Sequence, residues 1–291
     1  MAIATTLYND PACPWGYSAS PAFSVLRWRY RDQLDWRLVV IVLREGPIGA
    51  PADGYNPARQ ARGARMFRER YGMPVGAQAR SRLIATDRVC RALVATRLAH
   101  PGREIAAMRA LQFAWFNTTD LLDEDAAIER AIARVDGIDA SAVIAALDSP
   151  EVAGAYEADK AEARTAAGGP TEFQGKAAVD GELVRYTAPS LIFELEGRRL
   201  EGGGFQPVEA YDVLVANLDP TLERTPPPDG PLPLLEYFSD GLATQEVAAL
   251  LAGNLVVPDR GAAEEALIEL AADGAITREA LGNDALWRLA A

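Results

Sequence analysis

The chain predicts an α/β protein: a mixed-sheet domain interrupted by an all-helical insertion and followed by a small, mainly helical unit. Three observations carry that prediction. Residues 3 to 45 read strand, helix, strand; residues 57 to 164 read helix after helix without a convincing strand; and strands resume at Leu183 before a helix at Pro207 to Asn217.

Each element has a local reason. Ile3 to Tyr8 is a short apolar run closed by Asn9-Asp10-Pro11, and Ala19 to Tyr30 follows with helical patterning. Leu34 to Leu43 is the next strand; within it Leu38 to Leu43 is apolar on both faces, as a buried parallel strand is. In the insertion, Leu83, Val89, Ala92, Leu93, Thr96 and Leu98, then Met108, Leu111, Phe113, Trp115 and Phe116, recur at three and four. Asp139 opens a further helix through Leu147, and Ser149-Pro150-Glu151 supplies a Ser cap with Pro at the first helical position of the next. Leu183 to Tyr186, Ser190 to Leu195 and Arg198 to Glu201 are short strands expected in the same sheet as the first two, with Glu196-Gly197 as a hairpin turn. A βαβ half and a ββα half around a helical block is the order of a thioredoxin fold with its insertion between the halves. The expected divisions are 1–56 and 165–218 for that domain and 57–164 for the insertion, which should sit as a lid over the sheet's active-site end.

Residues 219–233 contain Pro226-Pro227-Pro228, Pro231 and Pro233 and read as a linker. Residues 234–291 then offer three helices and a hairpin, a winged-helix-like module. A DNA reader of that kind needs a basic third helix, whereas residues 231 to 291 hold three Arg against ten acids, with Glu264, Glu265 and Glu269 on that helix. Phosphates would be repelled, so the module is expected to pack or to contact protein.

The chemistry concentrates in Asp10-Pro11-Ala12-Cys13-Pro14-Trp15-Gly16-Tyr17, where a strand runs into a helix. A thiol at a helix N-terminus meets free N–H groups and the positive end of the macrodipole, which favour thiolate, so Cys13 is expected to be the catalytic nucleophile and more acidic than a free thiol. The position where a Cys-x-x-Cys motif has its second thiol is Gly16, so this loop cannot close a disulfide. Replacing Gly16 by Cys is expected to restore a pair without disturbing the core. Cys90, in a helix of the insertion, is either a small apolar core residue or a second thiol for Cys13; spacing leaves both open. His100 precedes Pro101-Gly102 and reads as a helix C-cap. No metal site is expected, since Cys90 and His100 are the other soft ligands available. Residues 59 to 103 hold eleven Arg against Glu69 and Asp87. Most should form a solvated helical face, and those turned to the cysteine cleft would suit the carboxylates of a small thiol, with Arg88 and Arg91, which flank Cys90, as candidates.

Composition sets outer bounds. Of 291 residues, 49% are hydrophobic, ample for a core, and the net charge of −12 argues against general nucleic-acid binding. No basic segment followed by an apolar stretch opens the chain, and no run of about 18 apolar residues occurs, so a soluble cytoplasmic protein without membrane contact is expected. Two widely spaced cysteines fit a reducing compartment.

Taken together, the Asp-x-x-Cys-Pro-Trp-x-Tyr start, Ala85 to Arg91, Met108 to Phe116, Ala145 to Asp148 and Ala188-Pro189-Ser190-Leu191-Ile192-Phe193 resemble DsbA-like proteins of the FrnE and 2-hydroxychromene-2-carboxylate isomerase kind, which include kappa-class glutathione transferases. The match covers about residues 3 to 218. The resemblance implies a cis-proline loop at Ala188-Pro189 lying against the cysteine loop, with Pro14, Trp15, Gly16, Ala188 and Pro189 around the bound thiol. It implies a thiol-disulfide oxidoreductase working as a monothiol with an external thiol. The alternatives are a thiol-cofactor-dependent isomerase or transferase, and a non-catalytic binding protein on the same fold. No tightly bound cofactor is implied; the co-substrate would be a low-molecular-weight thiol such as glutathione or mycothiol, the partner a small thiol or disulfide, and a homodimer is compatible. Two departures stand out: dithiol relatives keep Cys where this chain has Gly16, and the Gly168 to Thr187 segment is long and should sit near the active site.

Overall fold

Ile3–Asn9 forms β1, the strand on which the domain is built; it is followed by α1 (Pro14–Ser18), α2 (Ser20–Tyr30), a 3-10 turn and β2 (Leu34–Val40). This computed structural model describes residues 1–46, 56–76 and 78–290, so the last stretch of the expected 1–56 segment and Ala291 of the expected tail module lie outside the described residues. β1 and β2 run parallel from Ile3↔Leu34 to Asn9↔Val40, closing the βαβ unit.

The insertion is helical as expected: α3 (Pro57–Tyr71), α4 (Asp87–Ala99), α5 (Glu104–Asn117), α6 (Asp125–Ile132), α7 (Ala140–Ala145) and α8 (Pro150–Glu162). Local chemistry starts several of them. Asn56, Asp139 and Ser149 accept from the N–H groups of Arg59, Ala142 and Val152, and Pro150 occupies the first position after its Ser cap. The insertion is a layer on the sheet more than a lid. Val89, Leu93, Leu111, Ile128 and Leu147 share one core with Leu7, Leu26, Leu38 and Phe193, each worth about 1.5–3 kcal/mol of burial, while α3, like α2, packs against α1.

After α9 (Pro170–Phe173) come β3 (Ala177–Asp180), β4 (Leu183–Tyr186), β5 (Ser190–Leu195), β6 (Arg198–Gly203) and α10 (Val208–Leu218). The main sheet is ordered β2-β1-β5-β6, with β5 antiparallel to β1. Leu183–Tyr186 does not join it. Both edges of β1 are taken by β2 and β5, and β4 pairs with β3 as a separate two-stranded hairpin. The β5–β6 turn is as expected: Glu196 and Gly197 have φ of 50° and 77°, the left-handed pair that suits strand twist in a two-residue hairpin.

The proline-rich stretch is strapped to α2, not free: the Trp28 indole N–H donates to Pro226 O at 2.8 Å, and Thr225 N–H to Arg29 O at 2.8 Å. The tail contains α11 (Leu232–Tyr237), which begins inside the expected linker, then β7 (Leu242–Ala243), α12 (Thr244–Leu251), α13 (Arg260–Ala272), β8 (Ile276–Leu281) and β9 (Asp284–Leu289). The three tail strands form a sheet of their own, ordered β7-β9-β8. Val25 and Trp28 of α2 lie in one core with Leu234, Val247, Leu267 and Trp287 of the tail. Glu246, fully buried, accepts from Ser24 and pairs with Arg109, fixing the tail to both α2 and the insertion. No helix among the described residues is long and apolar enough to cross a membrane.

Candidate active site around Cys13

Asp10 builds the loop that presents the thiol. Its carboxylate accepts from the N–H groups of Ala12 and Leu43, each at 2.8 Å, and its carbonyl accepts from Cys13 N–H at 3.0 Å. Cys13 is the N-cap of α1: its Sγ accepts from Gly16 N–H at 3.4 Å, and Pro14 occupies the first helical position, where its missing N–H costs nothing. On the opposite side the thiol donates to Ala188 O at 3.1 Å, and the Ala188–Pro189 bond is cis. The cysteine loop and the proline loop therefore meet, as the resemblance implied. Trp15, 40% exposed, sits at the rim against Phe67, Tyr71 and Phe205.

The expectation of an acidic thiol is overturned. Cys13 is 5% exposed and lies among Tyr8, Val39, Ile41, Ala163, Ala166 and Tyr186, with Ala177 and Val184 of the β3–β4 hairpin packed against the same cluster. Burial pushes its pKa up to about 12. The Gly16 and Trp15 N–H groups and Arg185 pull down, the nearby Asp10 pushes up, and the desolvation of a thiolate outweighs the helix start. Part of this surrounding, Ala177, Val184 and Tyr186, comes from the Gly168 to Thr187 segment that the sequence marks as long.

The second expectation that fails is the easy exchange of Gly16. A Cβ there would lie 2.0 Å from Asn9 Oδ1 and 2.8 Å from its Cγ, and Asn9 is buried with that oxygen accepting from Asp10 N–H. The space where a second cysteine would go is filled by Asn9. Cys90 is a free, fully buried thiol; it donates to Asp10 Oδ2 at 3.6 Å, and burial followed by Asp10 raises its pKa. Its partner is Asp10, not Cys13.

Arg88 and Arg91 are held within the insertion instead of at the thiol. Arg88 pairs with Asp125 at 2.7 Å and Asp148 at 2.6 Å, and Arg91 lies over the Tyr156 ring at 4.5 Å. Residues 88 and 91 stand about 200° and 100° around the helix from residue 90, so flanking Cys90 in sequence does not put them on its face. Two other guanidiniums lie near the cysteine loop, and sequence reasoning missed both: Arg185, which pulls the Cys13 thiol pKa down, and Arg44, which is attracted to Asp10 and follows directly after Leu43 at the end of the apolar run. His100 is the C-cap of α4, and its Nε2 accepts from Asp139 N–H at 3.2 Å. No group of metal-ligating side chains occurs among the described residues.

The sequence matches the profile of the DSBA-like thioredoxin domain over residues 5–183, more than half of the chain. Among solved structures, a candidate protein disulfide isomerase from Nitrosomonas europaea is similar at 18% identity, with a TM-score of 0.58 over 75% of this chain and 97% of that one. The cytosolic disulfide reductase DsbM from Pseudomonas aeruginosa is similar at 16% identity, with a TM-score of 0.52 over 74% and 98% of the two chains, and its structure with GSH at a TM-score of 0.51. At these identities the likeness shows the fold. No curated protein sequence matches the chain.

Proposed function

Because the chain belongs to the DSBA-like thioredoxin-domain family, we propose that it is a thiol-disulfide oxidoreductase that works as a monothiol through Cys13. The Cys13 thiolate attacks one sulfur of a disulfide R–S–S–R′, forming a Cys13–S–S–R mixed disulfide and expelling R′S⁻. An external low-molecular-weight thiolate, from glutathione or mycothiol, attacks the R sulfur, releasing Cys13 and leaving R disulfide-bonded to the external thiol. A second external thiol completes reduction. The observation that carries this reading is the thiol held between Gly16 N–H at the helix start and the Ala188 carbonyl at the proline loop.

In the form described, the thiol is protonated near neutral pH and donates to Ala188 O. A substrate whose N–H takes that carbonyl would strip the thiol of its acceptor, and displacement of the hairpin would rehydrate the sulfur and lower its pKa towards that of an ordinary N-cap cysteine. The cytosolic reductase among the structural relatives supports reduction as the direction and a cytoplasmic setting, as do two free thiols. Incubation with oxidised glutathione, followed by mass spectrometry of the intact chain and its peptides, should place one glutathione on Cys13 and none in Cys13→Ser. The burial of Cys13 favours a second reading, a non-catalytic binding protein on the same fold. Absence of any adduct at Cys13, even after the hairpin is shortened, would establish that one.

A further inference from the structure

We propose that Asn283, in the turn of the tail's β8–β9 hairpin, is a positioning residue for the thiol site: it fixes the segment that carries α3 and so holds the aromatic side chains of α3 against Trp15. The tail lies beyond the matched residues 5–183, so nothing in the family likeness accounts for this contact. Its consequence for substrate binding rests on the activity proposed for Cys13.

α3 needs an anchor. None of its residues is buried, yet it delivers Phe67 and Tyr71 to Trp15, with ring centroids at 4.9 and 5.5 Å. Helices in proteins are stabilised mostly by packing, so one with so little of its own depends on the chain at its ends. At the C-terminal end, residues 72–76 are gripped from three sides. From α1, the Tyr17 hydroxyl donates to Pro74 O at 2.8 Å; from α5, Phe116 O accepts from Gly76 N–H at 2.9 Å. The third side is the tail, where Asn283 Oδ1 accepts from Val75 N–H at 3.0 Å. α12 adds a close fit, since a Cβ on Gly72, the left-handed C-cap of α3, would lie 2.1 Å from Gln245 Oε1. Met73 and Val75 are buried in one cluster with Tyr17 and with Ala243 of the tail.

The hairpin turn is shaped for this contact. Gly282, at φ 59°, lies so near α5 that an added Cβ would be 2.0 Å from Asn117 Oδ1 and 3.0 Å from Gly76 N. Glycine permits that approach, and the approach brings Asn283 to Val75. Asn117 Nδ2 in turn donates to the Tyr17 hydroxyl at 3.3 Å, so residues 72–76 link the hairpin to the helix that Cys13 caps. Asn283 itself is exposed, so its carboxamide can be removed without opening a core. Val75 N–H then loses its acceptor, and α3 parts from Trp15 more often.

Hydrogen exchange of the full chain followed by mass spectrometry, together with steady-state reduction of a glutathionylated peptide, tests this. In Asn283→Ala, peptides covering residues 57–76 should exchange faster by about threefold or more, the loss of one hydrogen bond, while β1 and β5 keep the wild-type rate. Asn283→Asp, which keeps the acceptor oxygen, should exchange as the wild type does. KM for the peptide should rise by about threefold or more in Asn283→Ala with kcat nearly unchanged, and return to the wild-type value in Asn283→Asp. Unchanged exchange at α3, faster exchange spread evenly over the chain, or a loosened α3 with an unchanged KM would overturn the proposal. Failure of the monothiol reading shows separately, as a wild type without turnover, and exchange at α3 then still decides the positioning role.

Discussion

At the scale of residues, two side chains decide what Cys13 can do, and one of them was hidden from the sequence. The cysteine itself was legible, because Pro-x-Cys-Pro at a strand-to-helix junction is local chemistry. Asn9 was not: its carboxamide lies against Gly16 through the geometry of the loop, and no spacing rule reports that. Gly16→Cys should therefore destabilise the chain by about 1–3 kcal/mol, the usual cost of overpacking, while Asn9→Ala combined with Gly16→Cys should recover most of it. Urea unfolding of the single and double variants checks this. The burial of Cys13 makes a second, pH-dependent claim. Its folded pKa, about 12, lies above the roughly 8.5 of an unfolded cysteine. The stability this contributes is fully present below about pH 8.5 and is lost as pH rises towards 12. Tyr8 and Tyr17, also raised by burial, add the same trend at higher pH, so the informative comparison is with Cys13→Ala, whose stability should fall less between pH 9 and 11 in chemical denaturation.

At the scale of elements, the β3–β4 hairpin adds Tyr186, Ala177 and Val184 to the apolar cluster that buries Cys13. The sequence shows an extra strand-like stretch near the proline loop, but periodicity cannot say which strand pairs with which, and Leu183–Tyr186 pairs with Ala177–Asp180 and not with the main sheet. The contacts that close over Cys13 are non-local: Tyr186 N–H donates to Ala163 O at 2.9 Å and Ala166 N–H to Val184 O at 3.1 Å, anchoring the hairpin to the end of α8. Its two ends lie together, with the Thr187 hydroxyl donating to Lys176 O at 2.6 Å, so residues 177–186 can be replaced by a short glycine-rich link. That variant should react with iodoacetamide at Cys13 at least tenfold faster than the wild type at pH 8. Unchanged reactivity would show that the hairpin is not the cover.

At the scale of the whole molecule, the βαβ and ββα halves and the helical block were legible because each carries its own periodicity, cap or turn. The docking of the tail was not, because it depends on one face of α2 being apolar towards a partner more than 200 residues away. Val25 and Trp28 belong to the tail's core, so removing residues 219–291 should lower the thermal midpoint and expose an apolar stripe, detectable as dye binding and aggregation. With ten acids against three Arg over residues 231–291, the intact tail should show no retention of duplex DNA in a mobility assay at low salt. The proposed activity requires Cys13 to turn over with an external thiol. Steady-state reduction of a glutathionylated peptide, followed at varied glutathione concentration, tests that most directly. The prediction is turnover in the wild type that requires glutathione, none in Cys13→Ser, and turnover retained in Cys90→Ser; activity surviving in Cys13→Ser, or lost in a folded Cys90→Ser, would contradict it.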